Sequence, residues 1–393
     1  MIRSLLPGAV ACALAAQAPA PPLTYDALLA RAKADPTLLR TEADLAARQR
    51  QLAATGGLLK EAPTVLAEGG RRVGPVTTTT DKVAQVDAPL LLAPRIRGEA
   101  RRTLDSSQRT ALALGRAEAR HRLRLAYLEA WLAQAQLRLR TGQSETMETW
   151  LRVARARVDS GSDPAFQAEL VRGDLVRQRT ELGDAFRRAA EAWAALRALA
   201  ELPSESLSLA DPGPAALPDP APLPAAFESS LARRALADRL ATDRAAFELQ
   251  QAVQTARWSV RGSYASEGEE RITRLGVAIR LPRPGELGAQ RREGAAGRAS
   301  LQREGEAADL QLASRFQTAL DRLRAFGAPP EPQGFEAALQ AVDLRLQEGK
   351  ERPSEALFLR RQLLEAQSAT LQRLRDAHAL VAELDLLTLG DAR

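Results

Sequence analysis

Aromatic residues are scarce in this sequence, at 4% of its 393 positions. A globular core of that size ordinarily holds more Phe, Tyr and Trp, so the composition argues against a conventional compact domain. Cysteine is limited to Cys12, which excludes an intrachain disulfide. The two histidines, His121 and His378, fall on apolar seams of long helical segments and read as packing residues. With no second thiol a structural zinc centre is disfavoured, and no metal or other cofactor is expected. Lysine occurs only at Lys33, Lys60, Lys82 and Lys350. No segment offers ~20 consecutive uncharged apolar residues, so no transmembrane helix is expected. Any membrane crossing then falls to strands. No catalytic constellation is present, and Gly294 to Gly297 lack phosphate-loop spacing; the reading is a non-enzyme.

What the sequence does have is Ala, Leu, Arg, Glu and Gln, the composition of long helices or coiled coils. Net charge is +6 and the pI about 10. Arg alternates with Glu and Asp along every helical segment instead of gathering into a patch. That is a solvated helical face, and no nucleic-acid partner is expected.

Arg95 to Val158 holds no proline. Leu114, Ala117, His121, Leu125, Leu128, Leu132, Ala135 and Leu139 recur at steps of three and four, the seam of a helix packed on other helices. If helical throughout, this stretch is roughly 96 Å long.

Residues 1–18 read as a signal peptide. Arg3 supplies a positive start, Leu5 to Ala16 an apolar stretch, and Ala16-Gln17-Ala18 a small-x-small cleavage site. Ala9-Val10-Ala11-Cys12 also weakly resembles a lipoprotein signal, in which Cys12 would be lipidated.

The remainder divides into two repeats. Residues 19–210 comprise a helix with a kink or restart at Asp35-Pro36, a β-hairpin at 62–92, and a long helical hairpin turning at Gly161. Residues 211–224, with six prolines, read as a stiff linker. Residues 225–393 repeat the order: helix, β-hairpin at 258–282, and a helical hairpin turning at Gly349. In the hairpins Ala84, Val86, Ala88 and Leu90 alternate with Gln85 and Asp87, and Leu275, Val277, Ile279 and Leu281 alternate with Arg274, Gly276, Ala278 and Arg280. The first hairpin turns through the Gly-Pro-Thr stretch and the second through Ser266 to Glu270. Gly327 to Gly334 interrupts the second long helix, which predicts a matching weak point at Thr141 to Gln143 in the first. The duplication of the whole order is the economical reading.

This pattern resembles the TolC-like outer-membrane efflux protein family. Leu23-Thr-Tyr-Asp-Ala-Leu28 with Asp35-Pro36 is similar to that family's opening. Arg157 to Gly161 and Arg345 to Gly349 resemble its R-x-x-x-G turns, and Ser354 to Ala366 resembles the segment that follows the second turn. The resemblance spans about Leu23 to Gly390. It implies a mainly α fold whose long antiparallel coiled-coil helices form an α-helical barrel. Two short β-hairpins would give four strands to a transmembrane β-barrel shared by a homotrimer. It further implies an outer-membrane location extending into the periplasm, contact with outer-membrane lipid, and docking to an inner-membrane pump and a periplasmic adaptor. The function implied is the passive duct of a tripartite efflux or type I secretion system.

By motif position the resemblance places Glu355 as an acid narrowing the tunnel mouth. Phe358 falls where a second acid is common, and Arg352 where a salt bridge holds the closed state. Asp159 and Asp163 flank the equivalent turn of the first repeat. Solvated capping charges are the competing reading of all five. On the last strand, Arg274 and Arg280 are expected to face the barrel lumen while Leu275, Val277, Ile279 and Leu281 face lipid. The strands look short, and Trp258 and Tyr264 alone suggest no aromatic girdle. Two other functions remain open: an exported periplasmic coiled-coil stalk or adaptor, and an amphipathic binder of lipid surfaces. Two matched hairpins inserted at the same point argue against the first. Narrow, Ala-rich seams argue against the second.

Overall fold

The computed structural model describes residues 22–54, 63–73, 78–90, 94–202, 208–255, 258–267, 270–281, 284–327 and 335–390. The proposed signal peptide with Cys12, the Gly74 to Thr77 turn and Pro282 lie outside these residues. In chain order the elements are α1 (Tyr25–Leu29), α2 (Pro36–Ala54), β1 (Thr64–Val73), β2 (Thr78–Leu90), α3 (Pro94–Asp159), α4 (Ala165–Leu199), α5 (Leu223–Glu228), α6 (Leu231–Thr255), β3 (Trp258–Glu267), β4 (Glu270–Ile279), α7 (Glu286–Phe326), α8 (Phe335–Gln347) and α9 (Pro353–Thr388).

Proline opens three of the helices: Pro36, Pro94 and Pro353 each hold the first position. There the missing N–H is no loss and the fixed φ already suits a helix. Asp35 completes the start of α2, its Oδ1 accepting from the amides of Thr37 at 2.8 Å and Leu38 at 3.3 Å. The expected restart at Asp35-Pro36 is therefore a capped helix start.

The expected weak point at Thr141 to Gln143 does not exist: α3 runs unbroken for 66 residues. Gly142 costs only about 1 kcal/mol relative to alanine, and its surroundings hold the helix. Thr141 and Thr146 return their hydroxyls to the carbonyls of Leu137 and Gly142, while Gln143 and Met147 are buried. The break in the second repeat has its own cause, since Gly327 takes φ 66° at the end of α7. The helix expected over Ala225 to Arg257 is two helices, α5 and α6, parted at Ser229-Ser230.

The strands form one antiparallel sheet in the order β1-β2-β3-β4. They contain 10, 13, 10 and 10 residues, so the expectation of short strands is overturned. About 9–11 tilted residues suffice to cross a bilayer. Thr78, Thr79 and Thr80 belong to β2 and pair with Val73, Arg72 and Arg71, so they are not turn residues. The second hairpin is likewise tighter than expected, with pairing carried to Glu267 and Glu270.

Because side chains alternate along a strand and directly paired residues share a face, the register sorts the sheet into two faces. One carries Val65, Ala67, Ala84, Val86, Ala88, Leu90, Trp258, Val260, Tyr264, Leu275, Val277 and Ile279. The other carries Gln85, Asp87, Ser259, Arg261, Ser263 and Arg274 together with Leu66, Val83 and Ile272, while Arg71, Lys82 and Arg271 share the first face towards the turns.

Two compact units are built from these elements. One draws on the described residues of Met1–Lys33, Leu123–Ala215 and Pro329–Asp376. Its core contains Met147, Trp150 and Ala154 of α3, Val171 and Leu175 of α4, Val342 and Leu346 of α8, and Ala356 of α9. Tyr127 lies under the chain before the proline-rich segment and donates its hydroxyl to the Ala210 carbonyl at 2.7 Å. Burial and the charge of Asp211 push its pKa up to about 12, so it stays a donor at any physiological pH.

The other unit draws on the described residues of Ala34–Arg122, Ala216–Ala328 and Ala377–Arg393, and contains the sheet. Phe227 and Phe316 stack at 4.2 Å in its main cluster, with Leu320, Leu380, Leu384 and Leu387 around them. Helices α6 and α7 approach closely through glycine. A Cβ on Gly294 would stand 2.4 Å from the Gln251 side chain, and one on Gly297 2.3 Å from the Phe247 ring.

Candidate channel residues at the helical turns and the sheet

The two glycine turns have one construction. Gly161 and Gly349 take φ of 77° and 75°, the left-handed region open to glycine. In the first, the Ser162 amide reaches the Arg157 carbonyl at 2.9 Å and the Gly161 amide reaches Val158. In the second, the Lys350 amide reaches the Arg345 carbonyl at 3.0 Å and the Gly349 amide reaches Leu346. Both are Schellman caps, which satisfy the last carbonyls of α3 and α8.

An acid two residues past each glycine pairs with the arginine four residues before it. Arg157 meets Asp163 at 2.8 Å, and Arg345 meets Glu351 at 3.1 Å. Arg157 also donates to the Glu351 carbonyl at 3.1 Å, joining the two turns. Gln167 adds a second tie: its Oε1 accepts the Ser354 amide at 3.1 Å and so caps α9 from α4.

These contacts divide the five expected gate residues. Asp163 is ion-paired with Arg157, and its side chain is only 7% exposed. Asp159, Arg352 and Glu355 are exposed and have no ion-pair partner among the described residues. Glu355 occupies the first turn of α9, where a negative charge suits the helix dipole. Phe358, one turn on and on the same side, is 61% exposed, an unusual position for an aromatic ring.

On the sheet, Arg274 pairs with Ser263 and shares a face with Arg261 and Asp87. Arg280 is corrected: β4 ends at Ile279, and Arg280 lies one residue beyond it, 4.0 Å from Glu286. Sequence reasoning missed the cross-strand pair of Arg261 with Asp87 at 2.8 Å. The opposite face leaves Leu275, Val277 and Ile279 exposed. Trp258 and Tyr264 stand at opposite ends of that apolar band, so the two aromatics thought too few for a girdle do bracket it.

The His121 Nδ1 lies 3.1 Å from the Ala382 carbonyl. Among the described residues no group of three or more His, Cys, Asp and Glu could hold a metal ion. No helix of the described residues is long and apolar enough to cross a membrane.

No family model matches the chain, and no curated protein matches it. Solved structures do. The outer-membrane channel OprN superposes with a TM-score of 0.70 at 17% identity, covering 90% of this chain and 87% of that one. The VceC outer membrane protein of Vibrio cholerae gives 0.70 at 16% identity, covering 91% and 94%. The CmeC outer membrane channel of Campylobacter jejuni gives 0.69 at 13%, covering 91% and 83%. The chain thus has the TolC-like outer-membrane channel fold that its turns and duplicated hairpins resemble.

Proposed function

We propose that this protein is the outer-membrane duct of an efflux or type I secretion system, passively conducting substrates delivered by an inner-membrane pump through a periplasmic adaptor. The observation that carries this reading is the sheet. It has four strands of membrane-crossing length, one apolar and exposed face, one charged face, and unpaired outer edges at β1 and β4. A four-stranded sheet exposing Leu275 at 83% is not stable alone in water. Three copies joined edge to edge would remove every free edge and turn the apolar face to lipid. The charged face, with Arg274 and the Arg261–Asp87 pair, would then line the lumen.

In the helical unit, Glu355 and Phe358 at the start of α9 are the proposed constriction, repeated three times in the trimer. Arg352, exposed and without an ion-pair partner among the described residues, would act across subunits. The neighbours' description as outer-membrane channels supports the same reading.

The test is fractionation followed by electrophysiology. A heat-modifiable trimer extracted from the outer membrane by detergent, forming conducting pores in planar bilayers, is the expected outcome. A soluble periplasmic monomer without conductance would refute the channel and favour the coiled-coil adaptor.

A further inference from the structure

A cavity of about 390 Å³ opens between α6 and α7 where both helices meet the sheet. It spans the last turns of α6, which ends at Thr255, and the first turns of α7, which begins at Glu286. Trp258 pairs with Ile279 at the adjacent edge of the sheet. The helices approach each other most closely at Gly294, which lines the cavity, and at Gly297 beside it, so it is an open cleft between the two helices.

Its lining has an unusual charge pattern. Arg291, Arg298 and Glu293 all line it, and none of the three side chains has an ion-pair or hydrogen-bond partner among the described residues. Gln290 lines it too. Its Nε2 donates to the Glu286 carboxylate at 3.3 Å, which fixes the amide so that Oε1 is the acceptor left over. That Oε1 is buried and has no hydrogen-bond partner. The cleft therefore offers two cations, one anion and one buried acceptor, beside the apolar Leu287.

We infer that this cleft binds the phosphoethanolamine headgroup of a membrane phospholipid. The inference rests on the reading of the sheet as a membrane barrel, which puts the cleft at headgroup level. The phosphate suits Arg291 and Arg298, whose charge-assisted hydrogen bonds are the strong ones. The primary ammonium supplies the N–H donors that the Gln290 Oε1 lacks, and a counter-charge for Glu293. A choline headgroup has no N–H to give. A glycerol headgroup carries no cation to balance Glu293. Inorganic phosphate would satisfy the arginines alone.

The full chain in detergent would be incubated with micelles doped with phosphatidylethanolamine, phosphatidylcholine or phosphatidylglycerol of identical acyl chains, or with inorganic phosphate. Retained ligand would be counted by native mass spectrometry. The expected result is phosphatidylethanolamine retained at least about tenfold more strongly than the other three, and the preference lost in the Arg291→Gln/Arg298→Gln double variant. Glu293→Gln should keep lipid binding while erasing the preference over phosphatidylglycerol. Equal retention of all three lipids, retention driven by inorganic phosphate alone, or an unaffected double variant would overturn the assignment. Conductance measured on the same preparations separates the two failures. A conducting trimer without headgroup preference defeats this site only, whereas a preparation that neither inserts nor conducts defeats the channel reading.

Discussion

The Arg157 guanidinium lies 2.8 Å from the Asp163 carboxylate, folded back across the Gly161 turn that separates them. The side chains are only 20% and 7% exposed, so this pair is shielded from water more than a surface ion pair is. Arg157→Ala strands the Asp163 carboxylate and releases the Glu351 carbonyl as well. It should destabilise the turn region by about 1–3 kcal/mol. Amide hydrogen exchange at Ser160 to Asp163 should accelerate while exchange in the sheet does not change. Uniform acceleration across the chain would show that the pair holds more than its own turn.

Glu355 and Phe358 lie one turn apart at the start of α9, and both are exposed. If they form the constriction, Glu355→Ala should reduce cation selectivity in single-channel recordings, and Phe358→Ala should raise conductance by widening the opening. Asp163→Asn should change neither selectivity nor conductance, because Asp163 is occupied by Arg157. Unaltered recordings for Glu355→Ala would remove it from the conducting path.

Val277 and Arg274 test the register of β4. Val277→Arg places a charge on the apolar face and should cost about 2–4 kcal/mol of insertion at mid-depth. It would be read as loss of trimer from the outer-membrane fraction. Arg274→Leu should leave insertion intact and alter conductance. The reverse pair of results would mean the faces are exchanged, as a one-residue slip would do.

Asp35 supplies a pH dependence. Burial alone would raise its pKa, but the Arg122 hydrogen bonds and those from Thr37 and Leu38 prevail and lower it from 3.8 to about 2. A depressed carboxylate pKa stabilises the fold above the unfolded value of 3.8, and that contribution is lost as pH falls through about 2. The Arg122 side chain is 38% exposed, so the contribution is on the order of 1 kcal/mol after screening. Asp35→Asn should lower the thermal midpoint at pH 7, and the gap to the parent should close as the solution approaches pH 2. A gap that persists at pH 2 would mean the loss comes from helix capping, not from charge.

Much of this fold is written in local signals. Pro36, Gly161, Pro164, Gly349 and Pro353 act through their own backbones, so the turns and restarts could be read directly. The two faces of the sheet follow from period-two alternation. What could not be read depends on residues far apart in sequence. Gln167 capping Ser354, Arg157 reaching Glu351, and Arg261 meeting Asp87 each join segments with no local cue. The break wrongly expected at Thr141 to Gln143 came from symmetry with the second repeat. The two breaks differ because Gly327 adopts φ 66°, whereas Gly142 remains within the helix. The pairing of Asp163 was hidden for a related reason: its partner, Arg157, stands six residues back across the Gly161 turn.

Trp258 and Tyr264 are six positions apart on one strand, about 20 Å at the usual rise. With a barrel strand's tilt of roughly 40°, only about 15 Å of that separation lies along the membrane normal. An aromatic-to-aromatic belt so narrow is thinner than the apolar band of about 25 Å usual for such barrels. Lipid tails around this protein would have to shorten their reach, and the strain of that mismatch favours bilayers of short or fluid chains. In a barrel built from this sheet, the spacing of two rings would set which membrane the strands tolerate, independently of anything that passes through the lumen.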